Sequence, residues 1–305
     1  MDNFGRLISE IRAELPRLEL RENEQMRDHC SFKIGGAVRV MALPSSAEEA
    51  EKLCLSLRRS GVEPLIVGNG TNLLVTDSPL DRFVVKFSDK MGSVEKRGDN
   101  GVFALSGISL ARLASFCAKA SLTGLEFAHG IPGTLGGAVS MNAGAYGGEM
   151  KDVLRSADYL DENLKLCRKT SKELEMGYRH SVFSETGCVI LGAEIELASG
   201  SEDAILTRMR ELSEKRRASQ PLDMPSAGST FKRPEQGYAA ALIDEAGLKG
   251  FAIGGAEVSQ KHAGFVINRG NATFDEVLAL IEHIQKTVYE RTGISLEPEV
   301  KIIRG

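Results

Sequence analysis

Apolar residues at the start of the chain recur at helical spacing: Phe4, Leu7, Ile8, Ile11 and Leu15 share one face, and Pro16 ends the run. Residues 17–29 are polar and irregular, a lead-in where no element is expected. Residues 38–43 read as an apolar strand. Ser46-Ala-Glu-Glu49 is a capping box that opens a helix ending at Gly61. Short buried strands are expected at 64–67 and 73–75, and a third at 83–87. Gly98-Asp-Asn-Gly101 marks a hairpin between 93–96 and 102–105, followed by a helix from Ser109 to about Ser121.

Residues 153–160 and 164–169 read as a second hairpin around Asp161-Glu-Asn163, and 189–197 as the strand that closes this region. Ala198-Ser-Gly-Ser201 is the linker candidate, and a polar, Arg-rich helix over 202–219 follows it. In the last third, 239–246 is helical and 264–268 a strand. Thr273-Phe-Asp-Glu276 is a capping box for a long helix to Arg291, and 294–303 a final strand. Strands, helices and hairpins mix throughout with no internal repeat, so the expected class is α+β.

At 305 residues the chain is too long for one core to serve it all, so two or three domains are expected. A net charge of −4 supplies no global basic field, which argues against nucleic acid or an acidic membrane surface as partner. No apolar run reaches the length of a membrane span, and Met1-Asp-Asn-Phe-Gly-Arg6 does not read as a signal peptide. The five cysteines (30, 54, 117, 167 and 188) are widely spaced and form no C-x-x-C, as expected of reduced, mostly buried thiols in the cytoplasm. The histidines show no ligand spacing, so no metal is expected. No sustained heptad stands out, which makes a monomer the default.

Candidate chemistry concentrates in glycine. Residues 130–149 hold seven glycines, one proline and three alanines, with no Lys or Arg. Such density marks main chain folded tightly against another segment or against a flat, neutral ligand. Ser140 and Asn142 are polar handles among the small residues. A second loop, Gly68-Asn-Gly-Thr-Asn72, lies between two apolar stretches, and its backbone N–H groups can form a nest for an anion such as a pyrophosphate. It lacks the Gly-Lys-Ser/Thr of a Walker A loop. It also leads into a strand rather than a helix, unlike a Rossmann fingerprint.

Six motifs occur in order: Phe32-Lys-Ile-Gly-Gly36; Gly68-Asn-Gly-Thr-Asn-Leu73; Gly130-Ile-Pro-Gly-Thr-Leu-Gly-Gly137 with Met141-Asn-Ala-Gly-Ala145; Tyr178-Arg-His-Ser181; Ser226-Ala-Gly-Ser-Thr-Phe231; and Leu296-Glu-Pro-Glu-Val300. Together they resemble the UDP-N-acetylenolpyruvylglucosamine reductases, also called UDP-N-acetylmuramate dehydrogenases, over roughly residues 25–303. The compact C-terminal third is similar to the short-type members.

The resemblance implies a two-lobed FAD-binding region of the vanillyl-alcohol-oxidase (PCMH) type over 31–198, with lobes at about 31–90 and 91–198. Residues 1–30 would be a helix and lead-in, and 202–305 a smaller α/β substrate-binding domain. FAD would be non-covalent, with its pyrophosphate on Gly68, Asn69, Gly70, Thr71 and Asn72. Its ring would lie against Ile131, Pro132, Gly133, Gly136, Gly137, Ser140, Asn142, Ala143 and Gly144. NADPH would reduce the flavin and leave. Hydride would then pass to C3 of the enolpyruvyl group of the UDP-sugar, and a protein acid would protonate C2.

The same resemblance implies that Ser229 is that acid, and that Arg179 and Glu299 polarise the substrate carboxylate and steady the enol-like intermediate. Glu299 beside a carboxylate would have to be protonated or share a proton. Tyr178 would pack near flavin or substrate. Ser219 stands where a Lys before Gln-Pro is frequent in the family, which leaves Lys232 and Arg233 as the nearest positive charges for the diphosphate. Cys30 and Ala37 replace the commoner Thr and Pro. Read from the residues alone, Ser229 is a turn or N-cap serine, and Arg179 and Glu299 are structural charges. Two other functional readings stay open: another FAD-linked oxidase or dehydrogenase of the same cofactor fold, and a non-catalytic nucleotide-binding relic.

Overall fold

The computed structural model describes residues 3–305, so the first two residues of the N-terminal stretch read above lie outside the described residues. In chain order the elements are α1 (Asn3–Glu14), β1 (Glu19–Gln25), β2 (Ala37–Leu43), α2 (Ala47–Arg59), β3 (Leu65–Val67), β4 (Leu73–Val75), β5 (Leu80–Lys86), β6 (Val94–Arg97), β7 (Gly101–Leu105) and α3 (Leu110–Lys119). Then come β8 (Leu122–Thr123), α4 (Leu135–Ser140), β9 (Gly144–Ala145), β10 (Gly148–Glu149), β11 (Leu154–Leu160), β12 (Leu166–Thr170), β13 (Val189–Glu196) and β14 (Ala198–Ser199). The last third holds α5 (Glu202–Ser219), α6 (Ala239–Glu245), β15 (Ala252–Ile253), β16 (Ala256–Val258), β17 (Val266–Asn268), α7 (Phe274–Thr292) and β18 (Lys301–Ile303). The class is α+β, as the pattern indicates.

Three expectations need correction. The polar lead-in is in part a strand: β1 is the edge of the four-stranded order β1-β2-β5-β3, and an edge strand needs no apolar alternation. The linker candidate is paired, because Ala198 and Ser199 lie antiparallel to Thr123 and Leu122. The last strand is only three residues long, and the extended chain before it bonds elsewhere, as described below.

The chain divides into two compact units, and the division is not contiguous. Residues 1–21, 40–69 and 82–214 form the first unit, and 22–39, 70–81 and 215–305 the second. The last break between the units falls inside α5, between Glu214 and Lys215. Long-range pairing explains the pieces 22–39 and 70–81: Leu73–Val75 pair in parallel with Lys301–Ile303, and Phe32, Ile34 and Leu74 are buried in the core of the C-terminal third.

The first unit has two cores. One gathers Leu7, Ile8 and Ile11 of α1, Leu53 and Leu57 of α2, and Phe83 and Val85 of β5. The other fills the antiparallel sheet β12-β11-β13-β7-β6 with Leu110, Leu113 and Cys117 of α3 and Leu135, Ala138 and Val139 of α4. Ser46 caps α2 by accepting the Glu49 N–H at 3.1 Å, the interaction its capping box predicts.

In the second unit α7 turns Val277, Leu280, Ile281, Ile284 and Val288 inward, a stripe at helical spacing. Full burial of each such side chain contributes about 1.5–3 kcal/mol. Its N-terminus is fixed reciprocally: Thr273 Oγ1 accepts the Glu276 N–H at 3.3 Å, and Glu276 Oε2 accepts the Thr273 N–H at 3.0 Å. Glu276 Oε2 also accepts the Gly255 N–H at 3.0 Å, which ties the β15–β16 turn to the helix.

Candidate active site

In the first unit the glycine-rich stretch forms α4 and the β9–β10 hairpin, and one asparagine organises it. Asn142 is 1% exposed and holds a left-handed φ of +45°. Its Nδ2 donates to Glu149 Oε2 and to the Gly177 carbonyl, both at 2.9 Å, and its Oδ1 accepts the Lys151 N–H at 2.9 Å. The amide expected to face the flavin is engaged by these protein groups. The Ser140 carbonyl accepts hydrogen bonds from the hydroxyls of Ser181 (2.6 Å) and Ser184 (2.7 Å).

These bonds clamp the turn that carries Arg179. Gly177 and His180 exchange backbone hydrogen bonds at 3.0 and 3.3 Å, with Tyr178 and Arg179 between them. Arg179 holds φ +54°, a conformation that costs a non-glycine residue free energy and is retained only when its surroundings impose it. Its guanidinium lies 5.3 Å from the centroid of the exposed Tyr178 ring. Glu149 is nearby in the electrostatic sense. The Lys151 ammonium, which hydrogen-bonds it, holds the Glu149 carboxyl below its ordinary range, and Asn142 and the Arg179 charge add to this. Sequence reasoning assigned Glu149 no role; its signal is that of a carboxylate closing a stretch with no cation.

In the second unit the segment around Ser229 is zipped on both sides. The Thr230 N–H donates to the Gly264 carbonyl at 2.9 Å, and the Thr230 carbonyl accepts the Glu299 N–H at 2.8 Å. Thr230 Oγ1, buried, accepts the Val266 N–H at 3.0 Å. The Lys232 N–H donates to the Glu297 carbonyl at 2.8 Å. These pairings bring Ser229 and Glu299, 70 positions apart in sequence, onto adjacent strands of chain with Thr230 as the common anchor. Both are half-buried. Asn72 joins the same cluster, donating from Nδ2 to the Glu299 carbonyl at 3.0 Å.

The two cations expected at the diphosphate are already engaged. Lys232 Nζ is 2.5 Å from Glu297 Oε1, and the Arg233 guanidinium stacks 4.2 Å from the Tyr238 centroid. Ser219 closes α5 by donating to the Lys215 carbonyl at 2.9 Å.

FAD needs bare backbone for its pyrophosphate and a neutral surface for its ring, and the glycines at 68 and 70 and the cation-free stretch 130–149 are residues of the kind that suit it. A Cβ on Gly68 would sit 2.3 Å from Thr134 Oγ1, within the first unit. In the second unit Gly70 holds φ +61°, and a Cβ there would sit 2.3 Å from the His29 carbonyl. The Leu135 and Gly136 N–H groups are spent on the Ile108 and Ser106 carbonyls, whereas Gly137 is exposed. Among the described residues, the buried Ser106 Oγ and His129 Nδ1 have no hydrogen-bond partner, and both belong to segments that adjoin this stretch.

Residues 38–168 match the family model described as FAD binding domain, and 220–303 that of the UDP-N-acetylenolpyruvoylglucosamine reductase C-terminal domain. The chain is 48% identical to the UDP-N-acetylenolpyruvoylglucosamine reductase of Caldanaerobacter subterraneus subsp. tengcongensis, over 97% of this chain and 98% of that protein. It is 44% identical to the protein of the same name from Clostridium tetani, over 99% of this chain and 98% of that one. Among solved structures it is similar to the UDP-N-acetylenolpyruvylglucosamine reductase of Thermus caldophilus, with a TM-score of 0.78 and 31% identity over 94% of this chain and 99% of that chain. The chain belongs to the UDP-N-acetylenolpyruvoylglucosamine reductase family.

Proposed function

We infer that this protein is an FAD-dependent oxidoreductase that uses NADPH to reduce the enolpyruvyl group of UDP-N-acetylenolpyruvylglucosamine, giving UDP-N-acetylmuramate for peptidoglycan precursor synthesis. When bound, FAD would supply hydride transfer between NADPH and the enolpyruvyl double bond. A hydride added at C3 leaves C2 electron-rich, and C2 must take a proton. Ser229 supplies that proton. The observation that carries this role is the double anchoring of Thr230, which fixes the neighbouring Ser229 against the segment of Glu299.

Arg179 grips the substrate carboxylate through its planar fork of donors. The clamped turn at Gly177 and His180 supports this role, since it fixes the main chain from which the guanidinium extends. Glu299 steadies the enol-like intermediate by hydrogen bonding. Residues 68–72 offer backbone to the FAD pyrophosphate and 131–144 to its ring. Tyr178 packs against the substrate, and Lys232 and Arg233 meet the diphosphate, with Lys232 exchanging Glu297 for phosphate oxygen. The five cysteines are all free, which supports a reducing, cytoplasmic setting. Among the described residues no helix is long and apolar enough to cross a membrane. We take the working unit to be a monomer.

The decisive experiment follows the flavin band of the purified protein. NADPH should bleach it without oxygen, and the enolpyruvyl sugar nucleotide should restore it. Restoration by oxygen alone would favour another FAD-linked oxidase, and a colourless protein that FAD cannot reconstitute would remove the enzymatic reading. Ser229→Ala should slow restoration by about 10²–10⁴ and leave bleaching nearly unchanged.

A further inference from the structure

We propose that Ser31 is a positioning residue that holds the loop bearing Ser229 in register with the glycine loop at Gly70. The proposal rests on the assignment of Ser229 as proton donor. Ser31 makes one bond in each direction. Its N–H donates to the Gly70 carbonyl at 3.2 Å, and its Oγ donates to the Ser226 carbonyl at 2.6 Å, the short end of the O–H···O range. All of these residues lie within the second unit.

Ser226 precedes Ser229 by three residues, and Gly228, with φ +79°, is the joint between them. A loop with such a joint keeps its end in place only if both flanks are held. On the far flank Thr230 is fixed by Gly264 and Glu299. On the near flank Ser226 pairs with Ile267 and receives the Ser31 hydroxyl. The segment that presents Ser31 is itself fixed. The Phe32 carbonyl accepts Asn268 Nδ2 at 3.0 Å in the core, and the Gly36 N–H donates to the Thr76 carbonyl at 2.8 Å. One residue therefore links a rigid segment to both loops, to the Gly70 loop through its backbone and to the Ser226 loop through its side chain. A serine that only filled space would not need its hydroxyl directed at that carbonyl.

The test uses the FAD-loaded protein with Ser31→Ala, and with Ser31→Thr and Ser31→Val, an isosteric pair that differs by the hydroxyl. In Ser31→Ala, reoxidation of reduced flavin by the enolpyruvyl substrate should slow about tenfold, the rate equivalent of one lost hydrogen bond. The solvent deuterium isotope effect on that half-reaction should rise. Reduction by NADPH should change less than about twofold, and FAD affinity likewise, because the backbone bond to Gly70 remains. Threonine should restore the reoxidation rate and valine should not, which keeps the comparison valid if alanine impairs folding. Equal slowing of both half-reactions, an unchanged isotope effect, or equal behaviour of threonine and valine would overturn the proposal. Ser229→Ala run in parallel separates the two ideas. If it leaves reoxidation unchanged, the donor assignment fails; if it slows reoxidation and the Ser31 variants do not, only the Ser31 proposal fails.

Discussion

Asn72 Nδ2 donates to the main-chain carbonyl of Glu299 at 3.0 Å, across 227 positions of sequence, and the Asn72 carbonyl accepts the Lys301 N–H at 2.9 Å. A residue expected to touch the pyrophosphate thus brackets the segment that carries Glu299. Asn72→Ala should cost about 0.5–1.5 kcal/mol of stability, the net value of one such bond. It should also slow the substrate half-reaction at saturating FAD, because the Glu299 backbone loses one of its anchors. Stopped-flow absorbance checks this, and a variant deficient only in FAD affinity would return Asn72 to the cofactor alone.

Asn142 makes a sharper case, because its amide uses both donors and its acceptor in a nearly fully buried site. Asn142→Ala removes three bonds and leaves alanine in the left-handed region, so a loss of about 3 kcal/mol is expected. Asn142→Asp keeps the shape but removes both donors and sets a carboxylate beside Glu149. It should lose stability at neutral pH and recover part of it on acidification as one carboxylate takes a proton. Urea unfolding at two pH values checks the pair; equal curves at both would deny the electrostatic part.

Local physics was legible in the sequence, and long-range pairing was not. Leu7, Ile8 and Ile11 announced α1 by their spacing, and Thr273 with Glu276 announced α7 by its capping box. The polar strand Glu19–Gln25 carries no such period, because an edge strand with half-buried side chains needs none. Residues 294–300 read as strand, yet the Glu299 N–H goes to the Thr230 carbonyl, a partner that no local pattern names. The candidate residues divide the same way. Motifs pointed to Arg179, Ser229 and Glu299, whereas the supports at Ser31, Asn72 and Thr230 depend on contacts between distant segments. The discontinuous units have the same cause, since the parallel pair of Leu73–Val75 with Lys301–Ile303 joins residues far apart in the chain.

Two glycines with similar backbone angles give a controlled comparison. Gly70 has φ +61° and would place a Cβ 2.3 Å from the His29 carbonyl, while Gly61 has φ +68° with nothing within 4 Å. Gly61→Ala should cost only the left-handed penalty, about 1–2 kcal/mol. Gly70→Ala adds a backbone collision and should cost more, and Gly70→Val should purify with little or no flavin. Full flavin in Gly70→Val, read from the visible band against protein absorbance, would make that loop structural rather than a phosphate cradle.

Glu276 carries a pH dependence whose sign follows from its bonds. The backbone N–H groups of Thr273 and then Gly255 hold its carboxyl below the ordinary glutamate range, against a smaller opposing effect of burial. Since the folded value lies below the unfolded one, the stabilisation is complete above the unfolded value, about 4.3. It is lost as pH falls through the folded value. Glu276→Gln keeps an acceptor for the same N–H groups but cannot titrate, so it should be less stable than the parent at neutral pH. The gap should close as pH falls below about 4. Chemical unfolding of both proteins from neutral pH to about pH 3 measures the gap directly. A gap that stays constant or widens on acidification would show that Glu276 is not held as a carboxylate by the start of α7.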